Sequence, residues 1–356
     1  MSYLERNVKM KFDVVIGNPP YQENSGTSAR DEALYNYFYD LSEKIGEKYM
    51  LISPARFLFN AGSTLKSWNR KMLKDKHVKV VYYEQDSSKI FPNVGIAGGV
   101  AILFRDNCKT LGPIGFFTSF KELYDISQRI ALNNEMTMDT IISGRGIYRL
   151  TPIAHKIFPQ IEKLQSKGHK NDIGTGAFDK FDKLLFFEEK PKDNNDYILV
   201  QGRFKNSRTQ RYIQKDLVNV PDSFNKWRVI LPKAYGTGIS TDGKAASLIG
   251  EPFIIEPEVA FTETYISIGS FKNRNEALNA LKYIKSKFAR ALLAILKITQ
   301  DNTKEKWSKV PLQDFTESSD IDWSVSISEI DKQLYKKYGL SQEEISFIET
   351  KVKSME

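Results

Sequence analysis

Phe12-Asp13-Val14-Val15-Ile16-Gly17-Asn18-Pro19-Pro20-Tyr21 decides the reading of this chain. Phe12 to Ile16 is a short apolar run, rich in β-branched residues and closed by Gly17, which is the pattern of a parallel strand covered on both faces. Proline fixes φ and removes a backbone donor, and the residue ahead of it is pushed away from helix. Pro19 and Pro20 therefore end the strand and hold the backbone after Asn18 in one extended turn at its carboxyl end. That edge is where open α/β sheets bind ligands.

The turn suits methyl transfer to an exocyclic amine. An aromatic amino nitrogen is a poor nucleophile because its lone pair is delocalised into the ring. If the Asn18 side-chain carbonyl and the Pro19 backbone carbonyl accept its two N–H bonds, the nitrogen is drawn toward sp³ character and aimed at an electrophile. Tyr21 stacks on the base in this reading. No cysteine nucleophile is required, which fits a chain whose single cysteine is Cys108. A buried strand followed by an ordinary proline turn is the bland alternative.

With Asp13, Gly17 and Tyr21 in place, the stretch resembles the amino-group DNA methyltransferases, in particular the gamma class that modifies N(6) of adenine and is often part of restriction-modification enzymes. In that family the Asn-Pro-Pro-Tyr strand is followed by a helix, a strand ending in Pro, another helix and an antiparallel pair closing the sheet. The sequence predicts all of them. Ser28-Ala29-Arg30-Asp31 is a capping-box-like start to a helix reaching about Gly46, with Leu34, Tyr37, Phe38 and Leu41 on one stripe. Tyr49 to Pro54 reads as the next strand, Ser63 to about Lys74 as a helix, His77 to Tyr83 as a strand and Ile96 to Phe104 as the closing strand. The resemblance implies that Lys89-Ile90-Phe91-Pro92-Asn93 is the loop whose aromatic residue stacks on a flipped-out base, which makes Phe91 the partner of Tyr21. It also places Phe38 and Pro20 against S-adenosylmethionine. Taken by themselves, Phe91 reads equally as a core aromatic and Phe38 as part of a helical stripe.

The departure from the family concerns the cofactor. Gamma-class enzymes carry a Gly-rich S-adenosylmethionine loop and an acidic ribose anchor upstream of Asn-Pro-Pro-Tyr. Here Met1 to Lys11 are too few and too charged for a strand, loop and helix. Asp172-Ile173-Gly174-Thr175-Gly176-Ala177 superficially resembles a permuted cofactor motif, but the polar Ser166 to Asn171 ahead of it is not a buried strand, so it reads as a polar loop. The expectation is an incomplete S-adenosylmethionine site, in a fragment, one half of a split enzyme whose other half is a separate chain, or a decayed relative.

Composition bounds the rest. With 356 residues, 41% hydrophobic and 12% aromatic, the chain is long enough for two domains or slightly more. One cysteine gives no disulfide framework, and His77, His155 and His169 show no metal-ligand spacing. No long apolar run or signal peptide is present, so a soluble, cytoplasmic protein with no membrane partner is expected. A net charge of +8 is a modest argument for a polyanionic partner, here double-stranded DNA.

The charge is concentrated. Between Gln201 and Lys233 eight basic residues (Arg203, Lys205, Arg208, Arg211, Lys215, Lys226, Arg228, Lys233) stand against Asp216 and Asp222. Arg and Lys interleaved with Gln, Asn, Ser and Thr can neutralise phosphates and read base edges. The simpler alternative is a solvated polar surface. Following the family's order, Arg203, Lys205, Arg208, Arg211 and Lys233 are expected at DNA, with Arg203 and Arg208 as base readers. Ala234-Tyr235-Gly236-Thr237-Gly238 is expected to be a flexible loop near the DNA backbone.

Further on, Leu278, Leu281, Ile284, Phe288, Leu292 and Ile295 predict a helix over Glu276–Ile298, Trp307 to Leu312 an extended segment, and Ser326-Ile327-Ser328-Glu329 and Ser341-Gln342-Glu343-Glu344 two capped helices separated by Gly339. Asp182 with Glu188-Glu189-Lys190 is only a loose match to a magnesium nuclease set.

The reading is an α/β protein: residues 1–110 as the substrate half of a partial Rossmann-like methyltransferase sheet, 111–145 a connector, 146–320 an α+β DNA target-recognition domain and 321–356 a helical tail. The function expected is adenine-specific DNA methylation after base flipping. A catalytically silent DNA-recognition module and an RNA or protein-glutamine methyltransferase remain the alternatives.

Overall fold

The computed structural model describes residues 12–23, 32–92, 95–239 and 244–356. The chain forms two compact units, one built on Met1–Tyr124 and the other on Asp125–Ile239 with Gly243–Glu356, so the division falls inside the stretch expected to be a connector. Both units mix helix and strand.

In the first unit the motif strand is β1 (Phe12–Gly17). A two-residue pair, β2 (Gln22–Glu23) and β3 (Glu32–Ala33), precedes helix α1 (Tyr35–Ile45), which leads into β4 (Gly46–Pro54). Helix α2 (Lys66–Lys74), β5 (Val78–Glu84) and β6 (Val100–Asp106) follow. The sheet order is β1-β4-β6-β5. β1 runs parallel to β4, with Val14 opposite Lys48 and Ile16 opposite Met50, while β6 pairs antiparallel with β4 and β5. Because β1 and β4 are parallel, Asn18 and Pro54 leave the sheet at the same edge. This is the succession of elements expected from the sequence.

The expected burial of β1 is corrected. Phe12, Val14 and Ile16 are 50%, 48% and 76% exposed, because β1 ends the row of strands and the described residues do not cover that face. Helix α1 shows a related inversion. Tyr37, Phe38 and Leu41, three of the predicted stripe, are exposed, and the helix instead buries Tyr35, Asn36, Tyr39 and Ser42. It is apolar on both faces, and an aromatic cluster wins the inner one: Tyr35, Tyr39, Phe57 and Trp68 lie with ring centroids 5.1–6.2 Å apart. The predicted cap at Ser28 to Asp31 lies outside the described residues, and α1 begins at Tyr35.

Helix α3 (Lys121–Leu132) spans the division between the units. The second unit contains β7 (Arg149–Leu150), short helices α4 (Pro152–Ile157), α5 (Ile161–Leu164) and α6 (Ala177–Lys180), and the long hairpin β8 (Tyr197–Phe204) and β9 (Ser207–Gln214). Then come β10 (Val218–Asn219), β11 (Trp227–Pro232), β12 (Phe253–Ile255), β13 (Val259–Phe261) and β14 (Tyr265–Phe271). Two three-stranded sheets result, β13-β8-β9 and β12-β11-β14. Their inward faces share one core that includes Phe178, Phe186, Val200, Ile213, Ile230 and Tyr265.

Helices α7 (Arg274–Lys285), α8 (Lys287–Ala294), α9 (Ile327–Lys337) and α10 (Gln342–Lys351) complete it. The single helix predicted over Glu276–Ile298 is two. Ser286 is extended and caps Ala289 N–H, while Asp331 of α9 accepts from the N–H groups of Lys287 and Phe288, so α8 starts afresh with its orphan donors satisfied. Ser326 and Ser341 cap α9 and α10 as the sequence predicts, the second with a full capping box. Gly339 takes φ +59 between them. Residues 304–307 form a short 3-10 turn where an extended segment was expected to begin.

Candidate active site

The turn after β1 opens on a small cleft in the first unit. Asn18 and Pro20 are exposed, Pro19 is buried and Tyr21 is half-buried. A cavity of about 130 Å³ is lined by Tyr21, Tyr35, Pro54, Arg56, Ser63 and Ile96, among others; of the predicted site residues only Tyr21 lines it, and Asn18, Pro19, Pro20 and Phe91 do not. Tyr21 accepts the Leu34 N–H at 3.1 Å through its backbone carbonyl, which ties the turn to the start of α1. Its ring hydroxyl is buried without a hydrogen-bond partner among the described residues, and burial raises its pKa. The side chain of Asn18 makes no hydrogen bond to a described residue, so its carbonyl is available to a ligand's donors.

Phe91 stands beside this turn. It is half-buried, and its ring meets Tyr21 edge to face, centroids 6.3 Å apart at 69°. The loop carrying it is pinned: Phe91 N–H donates to the Ser87 carbonyl at 2.8 Å, and Ile96 N–H to the Ser87 hydroxyl at 2.8 Å. The two rings are neighbours, but a planar base between them needs near-parallel faces roughly 7 Å apart, twice a van der Waals contact. Ring rotation is therefore part of any clamp.

Arg56 was not singled out by sequence reasoning. It follows β4 at the same sheet edge as Asn18, and its Nε donates to the Ala97 carbonyl at 2.6 Å, holding the loop before β6 over the cleft. Burial raises the pKa of Tyr35, opposed by its hydrogen bond with Thr64 and by the positive charge of Arg56. The signal was available: once β4 is parallel to β1, the residues after Pro54 must share the motif's edge. The return loop depends on Gly99, whose φ is +74 and where an added Cβ would sit 2.2 Å from the Glu84 carbonyl oxygen.

S-adenosylmethionine finds little here. Pro20 and Phe38 are exposed, but among the described residues of this unit no glycine-rich loop joins a strand to a helix N-terminus, and no carboxylate lines the cleft. These residues do not make a nucleoside site.

In the second unit Arg203 and Arg208 face each other across the β8–β9 hairpin, whose turn is formed by Lys205 and Asn206 with φ +45 and +67. Arg211 differs from them. Its side chain is 8% exposed, lies over the Phe204 ring and sits 3.7 Å from Asp182 and 3.6 Å from Glu188. Asp182 and Glu188, the loose nuclease pattern, thus neutralise an arginine, and no cluster of metal-ligating side chains occurs among the described residues. Lys233 lies 3.9 Å from Glu263. The loop at Gly236 is packed, with φ +55 and the Ser247 carbonyl 2.1 Å from where a Cβ would be, and Lys297 donates to the carbonyls of Tyr235 and Gly236. That loop is fixed by its contacts where flexibility was expected.

Comparison with known proteins bears on the first unit. Residues 2–91 match the family model described as Eco57I restriction-modification methylase. The N-terminal stretch resembles that family. The methylase match extends to a relative from Mycoplasma pneumoniae called an uncharacterised adenine-specific methylase, 33% identical over 102 residues, 28% of this chain and 24% of that protein. The chain thus spans about a quarter of the length of that methylase. A type IIG restriction endonuclease, BpuSI, aligns over 94% of this chain and 52% of its own at 12% identity, with a TM-score of 0.32. Among the described residues no helix is long and apolar enough to cross a membrane.

Proposed function

We propose that this chain belongs to an adenine-specific DNA methyltransferase of a restriction-modification system, with the first unit presenting the target amine and the second meeting duplex DNA. The observation that carries the reading is the placement of Asn18-Pro19-Pro20-Tyr21 at the carboxyl end of a parallel edge strand, beside Phe91, within the segment that matches the methylase family. The sheet order β1-β4-β6-β5, with its antiparallel closing pair, is consistent with the substrate half of a Rossmann-like methyltransferase sheet.

In this reading adenine leaves the duplex and is received at the Asn18 turn, beside the Tyr21 and Phe91 rings. Tyr21 and Phe91 offset part of the cost of unstacking it. The Asn18 side-chain carbonyl and the Pro19 backbone carbonyl accept the two N–H bonds of the amine, raising the reactivity of its lone pair without a general base. S-adenosylmethionine is the methyl donor that the family implies. Since the described residues do not build its site, the reading is confined to how the amine is held.

The second unit is proposed to face DNA through the turn of its basic hairpin, where Arg203, Lys205 and Arg208 have no acidic partner within ion-pair distance among the described residues. Arg211 is already paired and serves the hairpin. The test is nucleoside mass spectrometry on DNA from a host devoid of adenine methylation that expresses the chain with its flanking reading frames. N(6)-methyladenine is the expected product. Duplex binding with no methylated adenine would favour a silent recognition module instead.

A further inference from the structure

The second unit contains a cleft of about 490 Å³ on which Arg203, Arg208 and Arg290 converge. Each of these guanidiniums is held through backbone carbonyls, with no carboxylate within ion-pair distance among the described residues. Arg203 donates to the Asn206 carbonyl at 2.7 Å, and Arg208 donates to the Glu251 carbonyl at 3.4 Å while lying over the Phe253 ring. Arg290, on α8, is 2% exposed. Its Nε and Nη1 donate to the carbonyls of Lys285, Ser286 and Lys353, and its Nη2 is buried with no partner. Glu251 also lines the cleft, but its carboxylate is already paired with Lys285 at 2.6 Å. Asp331, the carboxylate nearest in influence to Arg290, accepts the backbone N–H groups that start α8.

This arrangement costs stability in the free protein. Arg203 and Arg208 are direct cross-strand partners, and like charges placed opposite each other destabilise a hairpin. A buried arginine with an unused donor carries a further desolvation penalty. Tyr265 is buried in the same lining, its hydroxyl beside Gln201 with no hydrogen bond of ordinary length and angle.

We propose that this cleft binds a phosphate group, with Arg290 at its floor and Arg203 and Arg208 at its rim. Three guanidiniums, including the Arg290 Nη2 that has no partner among the described residues, match a tetrahedral anion with several acceptor oxygens. The volume exceeds that of a lone phosphate, leaving space for an attached group beside the half-exposed Tyr235. The ligand is then either a backbone phosphodiester of nucleic acid or a free phosphorylated small molecule. Only the first source rests on the function proposed above. Arg203 and Arg208 become phosphate ligands in this assignment, where sequence reasoning expected base readers.

The experiment titrates inorganic phosphate, and separately a mixed-sequence 20-base-pair duplex, into the full chain at constant ionic strength. The comparison is with the double variant Arg203→Gln/Arg208→Gln, whose positions are on an exposed hairpin, and with Arg290→Lys, which keeps the charge and removes the fork. Phosphate binding weakened tenfold or more in the double variant, with melting equal to or above that of the parent because the cross-strand repulsion is relieved, supports the site. If phosphate also competes with duplex, the natural ligand is a phosphodiester; if duplex binding is indifferent to both phosphate and the variants, it is a free phosphate ester. Should neither phosphate nor duplex binding change in the double variant, the proposal is overturned, whatever Arg290→Lys does to folding. Methylation is scored separately, so failure of the methyltransferase reading leaves this result interpretable.

Discussion

At the scale of single residues, exposure is as informative as identity. Ile16 is 76% exposed although it closes the apolar run that leads into the motif. Ile16→Ser should therefore change unfolding free energy by less than ~0.5 kcal/mol, as for surface substitutions; a loss of several-fold more in chemical denaturation would show that the face is covered. Gly99→Ala should do the opposite. It forces a Cβ against the Glu84 carbonyl in a left-handed conformation, and a cost of roughly 1–3 kcal/mol is expected from backbone strain alone. Phe91→Ala removes one of two rings beside the motif. In a DNA-binding assay with 2-aminopurine at the target position, it should weaken binding by about 1–3 kcal/mol and reduce the fluorescence change. Unchanged binding and fluorescence would mean that Phe91 only packs its loop.

At the scale of elements, the α8–α9 contact makes a pH prediction. Burial pushes the Asp331 carboxyl up to about 6 from an ordinary value near 3.8, against the N–H groups of Lys287 and Phe288 that favour the charged form. The folded chain then holds that proton more tightly than the unfolded chain does. This contribution to stability is fully present below pH 3.8 and is lost as pH rises through 6, a difference on the order of 3 kcal/mol. Asp331→Asn should flatten the Asp331 part of the stability profile between pH 4 and 6, measured against the parent; parallel profiles would show that the carboxyl titrates normally. The same contact explains a limit of sequence reading. Ser341 and Glu344 announce their capping box within four residues, and it forms. The break at Ser286 depends on Asp331, 45 positions away, so a continuous apolar stripe hid it. Likewise β1, β4, β5 and β6 were legible from local runs and turns, whereas the exposed side of β1 and the inner face of α1 follow from which neighbours the strand order supplies. Asn18 and Tyr21 stand out in the sequence as a motif and Phe91 only through the family resemblance, whereas Arg56 and Arg290 do not stand out, because each gains its place through a tertiary neighbour.

At the scale of the whole molecule, the proposed function draws on two kinds of surface in separate units: the Asn18 turn in one and, in the other, hairpin arginines with no acidic partner among the described residues. A net charge of +8 and the basic hairpin predict duplex binding that weakens steeply with salt, since each neutralised phosphate releases counterions. Replacing one phosphate-contacting arginine should lower the log–log salt slope by about 1 for all sequences alike. A slope unchanged on replacing Arg203, Lys205 and Arg208 together would leave the hairpin as ordinary solvated surface. The central claim concerns the other unit, that Asn18 acts on the transferring amine. Its most direct test is paired measurement of N(6)-methyladenine formation and duplex affinity for the parent and Asn18→Ala, both produced with their flanking reading frames. The account predicts that Asn18→Ala abolishes methylation while duplex affinity stays within about twofold, because the lost hydrogen bonds operate in the transition state. Methylation persisting in Asn18→Ala, or falling only in proportion to lost affinity, would contradict it.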